Sequence, residues 1–322
     1  MSSQLNISLD FELLWGLRDH HDKASYGDSV LGARAAIPRI LDLFVRYDVA
    51  ATWATVGMLF CKSRDELRDY SPPEALQPRY AQRLLSNYGY MDDVGRDEAE
   101  DPYSFAAGLI EEIATTPRQE IGTHTFSHYY CLEPGATDET FVADLAAALA
   151  IARERRIVLK SIVFPRNQYT AQHVMLCRQQ GLTVYRGNQR AWPYHPLPGS
   201  EQTLSRRGAR LLDAHVPVYG DHCQPGGAGS DGNVPASFFL RPRSGRAAAI
   251  HGLHRRRIKA AMTRAAKCGQ RLHLWWHPHN FGSNTDANLS GLEEILQHYR
   301  TLRDTAGMVS RSMAMAVDPP CA

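Results

Sequence analysis

Apolar and polar positions along this chain of 322 residues fall into short strand-like runs alternating with helical periods. Residues 5–9 alternate apolar and polar and run into Asp10-Phe11-Glu12, which predicts a strand with acids at its C-terminal end. Side chains two apart on a strand share a face, so Asp10 and Glu12 point one way and Phe11 the other. Residues 29–47 have helical period, with Val30, Ile37, Ile40, Leu41 and Phe44 on one side. Residues 49–59 hold no charge, as a strand covered on both faces in a parallel sheet does. Further strands are expected at 120–123, 161–164, 182–185 and 272–276. Helices are expected from the Asp101-Pro102 cap to Thr115, from a Thr137 cap through Arg156, over 170–180 and over 288–302.

Strand and helix alternate, and polar residues recur where strands end. That is the layout of a parallel α/β fold, in which the C-terminal edge of the strands carries the chemistry. Residues 63–101, with Pro72, Pro73 and Pro78 and acids from Asp92 to Asp101, read as an insertion or lid. Residues 187–243 have no clear period and read as an irregular, loop-rich segment. Within it Gly226 to Gly232 lacks the Lys and Ser/Thr of a phosphate loop, and we expect a flexible loop over the site. Arg255, Arg256, Arg257, Lys259, Arg264, Lys267 and Arg271 form a basic region. It is either a solvated face or a contact for an anionic partner, such as a phosphorylated sugar carrier or a membrane surface met peripherally near Arg255.

Hydrophobic residues make up 43% of the chain and charged residues 22%, within the globular range. A net charge of +2 argues against a dedicated nucleic-acid binder. The six cysteines include no CxxC pair, which excludes a zinc ribbon and suggests reduced thiols. No secretory signal and no apolar run of membrane-spanning length is apparent. A cytoplasmic location is therefore expected.

The chemistry gathers around Ile121-Gly122-Thr123-His124-Thr125-Phe126-Ser127-His128. On a helical turn His124 and His128 would share a face and converge on one metal ion. Two histidines with one carboxylate leave a position for water, as in catalytic zinc sites, and the same set suits iron. A second carboxylate can take the water's proton, and a histidine at another strand end, His277 or His279, can protonate a leaving amine.

In order, Ser8-Leu9-Asp10-Phe11-Glu12, Ala51-Thr52-Trp53, His124-Thr125-Phe126-Ser127-His128, Phe164-Pro165-Arg166 and His277-Pro278 resemble the polysaccharide deacetylase family, with its NodB homology domain. The resemblance, close to carbohydrate esterase family 4 and to its bacterial polysaccharide-biosynthesis branch, spans about residues 5 to 280. It implies an α/β fold: a distorted (β/α) barrel of about seven parallel strands in a single domain with insertions. It also implies removal of an N-acetyl or N-formyl group from a sugar, in the making of O-antigen or lipopolysaccharide. The metal would be divalent, zinc first, with Fe2+, Co2+, Ni2+ or Mn2+ as alternatives.

Carried over by position, Asp10 resembles the catalytic base, and Glu12, His124 and His128 the metal ligands. Arg166 resembles the arginine that pairs with the base, and His277 the acid. Phe11 stands where the better-known branch has a second aspartate, so the roles of Asp10 and Glu12 can also be exchanged. Asn167, Gln168 and Tyr169 compete for the oxyanion amide, and Asp213 and Asp221 for orienting His277. Asn167, Tyr169, Trp276 and His279 are the expected substrate contacts, with Trp192, Tyr194 and Trp275 as further sugar-stacking candidates. Two other readings follow from the same residues: a hydrolase of a small non-sugar amide, and a carbohydrate-binding protein without turnover.

Overall fold

The computed structural model describes residues 2–226, 231–243 and 248–317. Positions 227–230 of the glycine-rich segment and Cys321 lie outside them. Strand β1 (Gln4–Phe11) is buried along its whole length. It is followed by α1 (Lys23–Arg46), which starts earlier than its apolar period because Asp22 caps it, accepting from the Ser25 N–H at 2.8 Å. Then come β2 (Ala51–Thr55), α2 (Arg64–Tyr70), α3 (Ala107–Thr115), β3 (Gln119–Thr123) and α4 (Asp138–Glu154). Next are β4 (Ser161–Ile162), α5 (Ala171–Gln179), β5 (Val184–Tyr185), α6 (Leu204–Asp213), β6 (Gln224–Pro225) and β7 (Phe238–Phe239). The chain continues through α7 (Ala248–Cys268), β8 (Gln270–Trp276), α8 (Thr285–Ala306), β9 (Val309–Arg311) and α9 (Met313–Val317).

The sheet runs β5-β4-β3-β2-β1-β8, all parallel, with β7 parallel to β8 and the short β6 antiparallel to it. Residues 232–237 bridge the gap from β5 to β8. Tyr185 N–H donates to Gly232 O (3.0 Å), Val234 N–H to Tyr185 O (2.9 Å) and Ser237 N–H to His273 O (2.8 Å). These bonds close the sheet into a distorted barrel of the expected kind. At its bottom, Ala54, Val163, Val184 and Val234 pack with Met313 and Ala316 of α9, which plugs the barrel. The helices cover the outside, where Ile37, Ile40 and Phe44 of α1 and Leu292 and Ile295 of α8 are fully buried.

Two expected elements are shorter than their sequence runs. The apolar run 49–59 leaves the sheet at Thr55 and turns through a 3-10 segment, Gly57–Phe60. Gly57 N–H and Met58 N–H there donate to Thr125 O (2.8 Å) and Phe126 O (3.0 Å), so this backbone holds the histidine loop instead of extending the ladder. Asp101 does not cap a helix. It accepts from Gly95 N–H (3.2 Å) and pairs with Lys23 (3.1 Å), and α3 begins at Ala107. The Thr137 cap stands as expected, and Thr170 caps the helix expected over 170–180.

Candidate metal centre and active-site cavity

Parallel strands bring their C-terminal ends to one rim, and five strand ends supply the site. Asp10 and Glu12 lie at the end of β1, His124 and His128 beyond β3, Asn167 beyond β4, Arg186 beyond β5, and Trp275, His277 and His279 at the end of β8. Glu12 Oε2 lies 3.1 Å from His128 Nε2 and 3.5 Å from His124 Nε2, and all three residues are buried. The histidine segment is not the helical turn its spacing suggests. It is a loop in which Thr125 (φ 64°) and His128 (φ 59°) take left-handed backbone, and the two rings converge at 4.9 Å.

The loop is braced from beneath. Asp144 of α4 accepts from Phe126 N–H (2.7 Å), Ser127 N–H (3.2 Å), the Ser127 hydroxyl and Tyr88 Oη–H (2.8 Å). Burial pushes the Asp144 carboxyl up, against the pull of these donors. Segment 63–101, expected as an insertion or lid, supports the site. Asn87 donates to Trp15 O (2.7 Å) and Ser127 O (2.9 Å), clamping the loop after β1 to the histidine loop.

The donor set fits a divalent cation. His124 Nδ1 lies 2.7 Å from Val163 O, which can only accept, so the proton sits on Nδ1 and the Nε2 lone pair faces Glu12. Burial holds the His128 pKa below its ordinary value, favouring the neutral ligand form. Burial pushes Glu12 up, but the charge of His277 and the neighbouring His124 and His128 overcome it, and the carboxyl stays well below its usual range. The ligand atoms of Glu12, His124 and His128 lie within 4.8 Å of one another, and all three residues are buried. Gly16 makes room for them: a Cβ there would overlap the Glu12 carboxylate.

Asp10 sits beside this set. Its partner is Arg186 and not Arg166. Arg186 grips both carboxylate oxygens (2.6 and 2.8 Å), donates to Ser8 Oγ (3.0 Å) and Asn167 Oδ1 (3.1 Å), and lies 4.2 Å from the centre of the Trp275 ring. Burial alone would raise the Asp10 pKa, but the Arg186 charge, then His124, lower it below the ordinary value. Arg166 instead pairs with Asp19, lies 3.7 Å from Glu133 and stacks over Tyr130. The signal for Arg186 was present: one cation directly after an apolar strand.

His277 Nε2 lies 3.8 Å from Asp10 Oδ2 and 3.9 Å from Glu12 Oε1. Its Nδ1 faces Asn280 Oδ1 at 3.3 Å. Neither proposed aspartate reaches it: Asp213 binds His222 (2.7 Å) and Tyr194 (2.7 Å), and Asp221 binds Arg264 (2.6 Å). His279 is buried against Tyr26, with Nδ1 3.8 Å from Glu12, and burial pushes its pKa down to about 3. That leaves His277, half-exposed at the cavity, as the better-placed acid.

The expected substrate contacts divide. Asn167 lines the cavity. Gln168 is occupied by Glu133 (2.8 Å) and Leu132 N–H (3.3 Å), and Tyr169 stacks on Phe164 and receives Asn188 N–H (3.2 Å). Trp276 is fully buried against Phe281 and Phe44, outside the barrel, so it cannot touch a substrate. Trp275 lines the cavity instead, and its buried Nε1–H has no hydrogen-bond partner. The cavity is about 610 Å³, runs outward from His277 and Asn167, and is walled by residues of the 187–243 segment, including Tyr194 and Phe239. In the basic region of α7, Arg255 and Lys259 share Glu294, Arg264 pairs with Asp221, and Arg257 is buried beside Asp213.

No protein-family model matches this sequence, and no curated protein does. Solved structures do. One from Mycobacterium smegmatis, assigned as a polysaccharide deacetylase, matches over 100% of this chain and 94% of its own, with a TM-score of 0.58 at 13% identity. The fold is that of the polysaccharide deacetylases. The PuuE allantoinase is also similar, with a TM-score of 0.56 and 12% identity, covering 97% of this chain and 88% of that one. So is a GH57-type branching enzyme from Pyrococcus horikoshii, with a TM-score of 0.52 and 12% identity over 98% of this chain and 69% of that one. The polysaccharide deacetylase fold therefore accommodates more than one chemistry, and the substrate has to be argued from the site.

Proposed function

We propose that this protein is a metal-dependent hydrolase that removes an N-acetyl or N-formyl group from a sugar during surface polysaccharide biosynthesis. One observation carries the reading: His277, on the floor of the open cavity, lies 3.8 Å from Asp10 and 3.9 Å from Glu12 of the Glu12/His124/His128 cluster. Glu12, His124 and His128 would hold the metal, which supplies Lewis acidity to the amide carbonyl and lowers the pKa of water. Asp10, kept ionised by Arg186, takes the proton of the attacking water. His277 delivers a proton to the departing amine, with Asn280 fixing its ring. Asn167, held by Arg186, orients the acyl oxygen, and Trp275, which lines the cavity, offers its ring to the sugar. A cytoplasmic location and zinc as the native metal belong to the same proposal.

The test is direct. Protein loaded with zinc or cobalt is incubated with N-acetyl and N-formyl amino sugars, and with allantoin as the non-sugar control, and released acetate, formate or ring-opened product is measured. Acyl release from a sugar, lost about 10²- to 10⁴-fold in Asp10→Asn, supports the reading. Turnover of allantoin alone, or retained sugar affinity with no turnover, would refute it in favour of the amide hydrolase or the binding protein.

A further inference from the structure

Beyond the floor, the cavity is lined by five arginines, Arg166, Arg207, Arg210, Arg241 and Arg257, against three carboxylates, Asp19, Glu133 and Asp213. The carboxylates are already engaged. Asp19 pairs with Arg166, Glu133 accepts from Gln168 and Gly199 N–H (2.7 Å), and Asp213 accepts from Tyr194, Tyr219 N–H (3.0 Å) and Arg257 (3.3 Å). Among the described residues, no carboxylate comes within ion-pair distance of Arg207, Arg210 or Arg241. Arg210 reaches only Pro193 O and Gln202 Oε1, both at 2.9 Å. Arg241 Nε and Arg257 Nε and Nη1 are buried without a hydrogen-bond partner, and Arg257 is 7% exposed.

Helix α6 shows that this placement is not incidental. An amphipathic helix ordinarily turns its leucines to the core. Here Leu204, Leu211 and Leu212 are 83%, 52% and 55% exposed, while Arg207 and Arg210 from the same helix line the cavity. Burial, then the charges of Arg206, Arg207 and Arg241, press the Arg210 pKa down. Partly buried cations without counter-charge, such as Arg210 and Arg241, gain from an anion seated between them. Planar guanidinium forks suit the oxygens of a phosphate.

We infer that the outer half of the cavity binds a phosphate group carried by the substrate, so that the acylated sugar enters as a sugar phosphate or glycosyl phosphodiester. The sugar part rests on the deacylation proposed above; the phosphate site rests on the arginines alone. Arg210 and Arg241 grip the phosphate from two sides, Arg257 donates from beneath, and the N-acyl group is thereby directed to Asp10 and His277.

Calorimetric titration of the full chain with pyrophosphate, uridine diphosphate and a short prenyl monophosphate tests this without any turnover, so a failed deacylation assay leaves the result readable. We expect at least one to bind with Kd below about 1 mM. Binding should weaken at least tenfold in Arg210→Gln/Arg241→Gln and severalfold in Arg207→Gln, whose exposed position on α6 keeps the test valid where the double variant does not fold. A preference for uridine diphosphate points to a nucleotide-linked sugar, and one for prenyl phosphate to a lipid-linked sugar. No heat with any of the three, or equal affinity in wild type and variants, overturns the inference.

Discussion

At the floor of the cavity every charge has a partner within reach: Asp10 has Arg186, Glu12 has His124 and His128, and Asp144 ties down the loop beneath them. On the outer wall Arg207, Arg210 and Arg241 have no acid among the described residues, and α6 turns Leu204, Leu211 and Leu212 to solvent while Arg207 and Arg210 line the cavity. The floor is pre-organised around its own groups and could hold a cation. The wall is organised around something that is not protein. A chain can therefore carry the balanced charges that chemistry requires and, a few ångströms outward, the unbalanced ones that recognition requires.

The sharpest way to break this comparison is to remove the floor's central pair. Arg186→Leu strands a buried Asp10 charge, which should cost about 3–5 kcal/mol of stability. It should also lower acyl-sugar turnover about 10²-fold or more, as loss of the base does. Arg166→Leu, at the position the motif suggested, should leave the Asp10 environment intact and be far milder in denaturant melts. Equal losses in the two variants would contradict the assignment of Arg186.

A second test compares the two regions by pH. Burial holds His254, on the wall, to a pKa of about 4, and His273, inside the barrel between Val234 O and Ser8 Oγ, to about 3. Both pKa values are depressed on folding, so the unfolded chain binds more protons below pH 6.5. The stability they contribute is complete above pH 6.5 and is lost as pH falls toward 4 and then 3. His254 alone accounts for about 3 kcal/mol at full effect. Thermal melts from pH 7.5 to 4 should show Tm falling, with a shallower fall in His254→Gln; a flat profile would contradict the neutral assignments.

The smallest effect sharpens the floor. Gly16→Ala places a methyl against the Glu12 carboxylate and should weaken metal affinity about 10- to 100-fold, with little change in melting.

How much was legible follows the same division. Asp10, Glu12, His124, His128 and His277 stood out because each sits in a short motif at a strand end, and parallel strands must bring those ends together. Arg186 was missed because its partner is reached across the barrel rather than along the chain. Trp275 and Trp276 could be separated only by register: Trp275 pairs with Ser8, which reaches Arg186 inside the barrel, and Trp276 pairs with Leu9, which faces the helices. Helix α6 was not legible because residues 187–243 carry no clear period, and in the structure its leucines face solvent while Arg207 and Arg210 line the cavity.

The central claim is the metal centre, and elemental analysis of the purified protein tests it most directly. Wild type, as isolated or after loading with zinc, cobalt or iron, should carry about one equivalent of metal, and His124→Ala/His128→Ala essentially none. No metal in wild type after loading, or the same content in both proteins, would contradict the account.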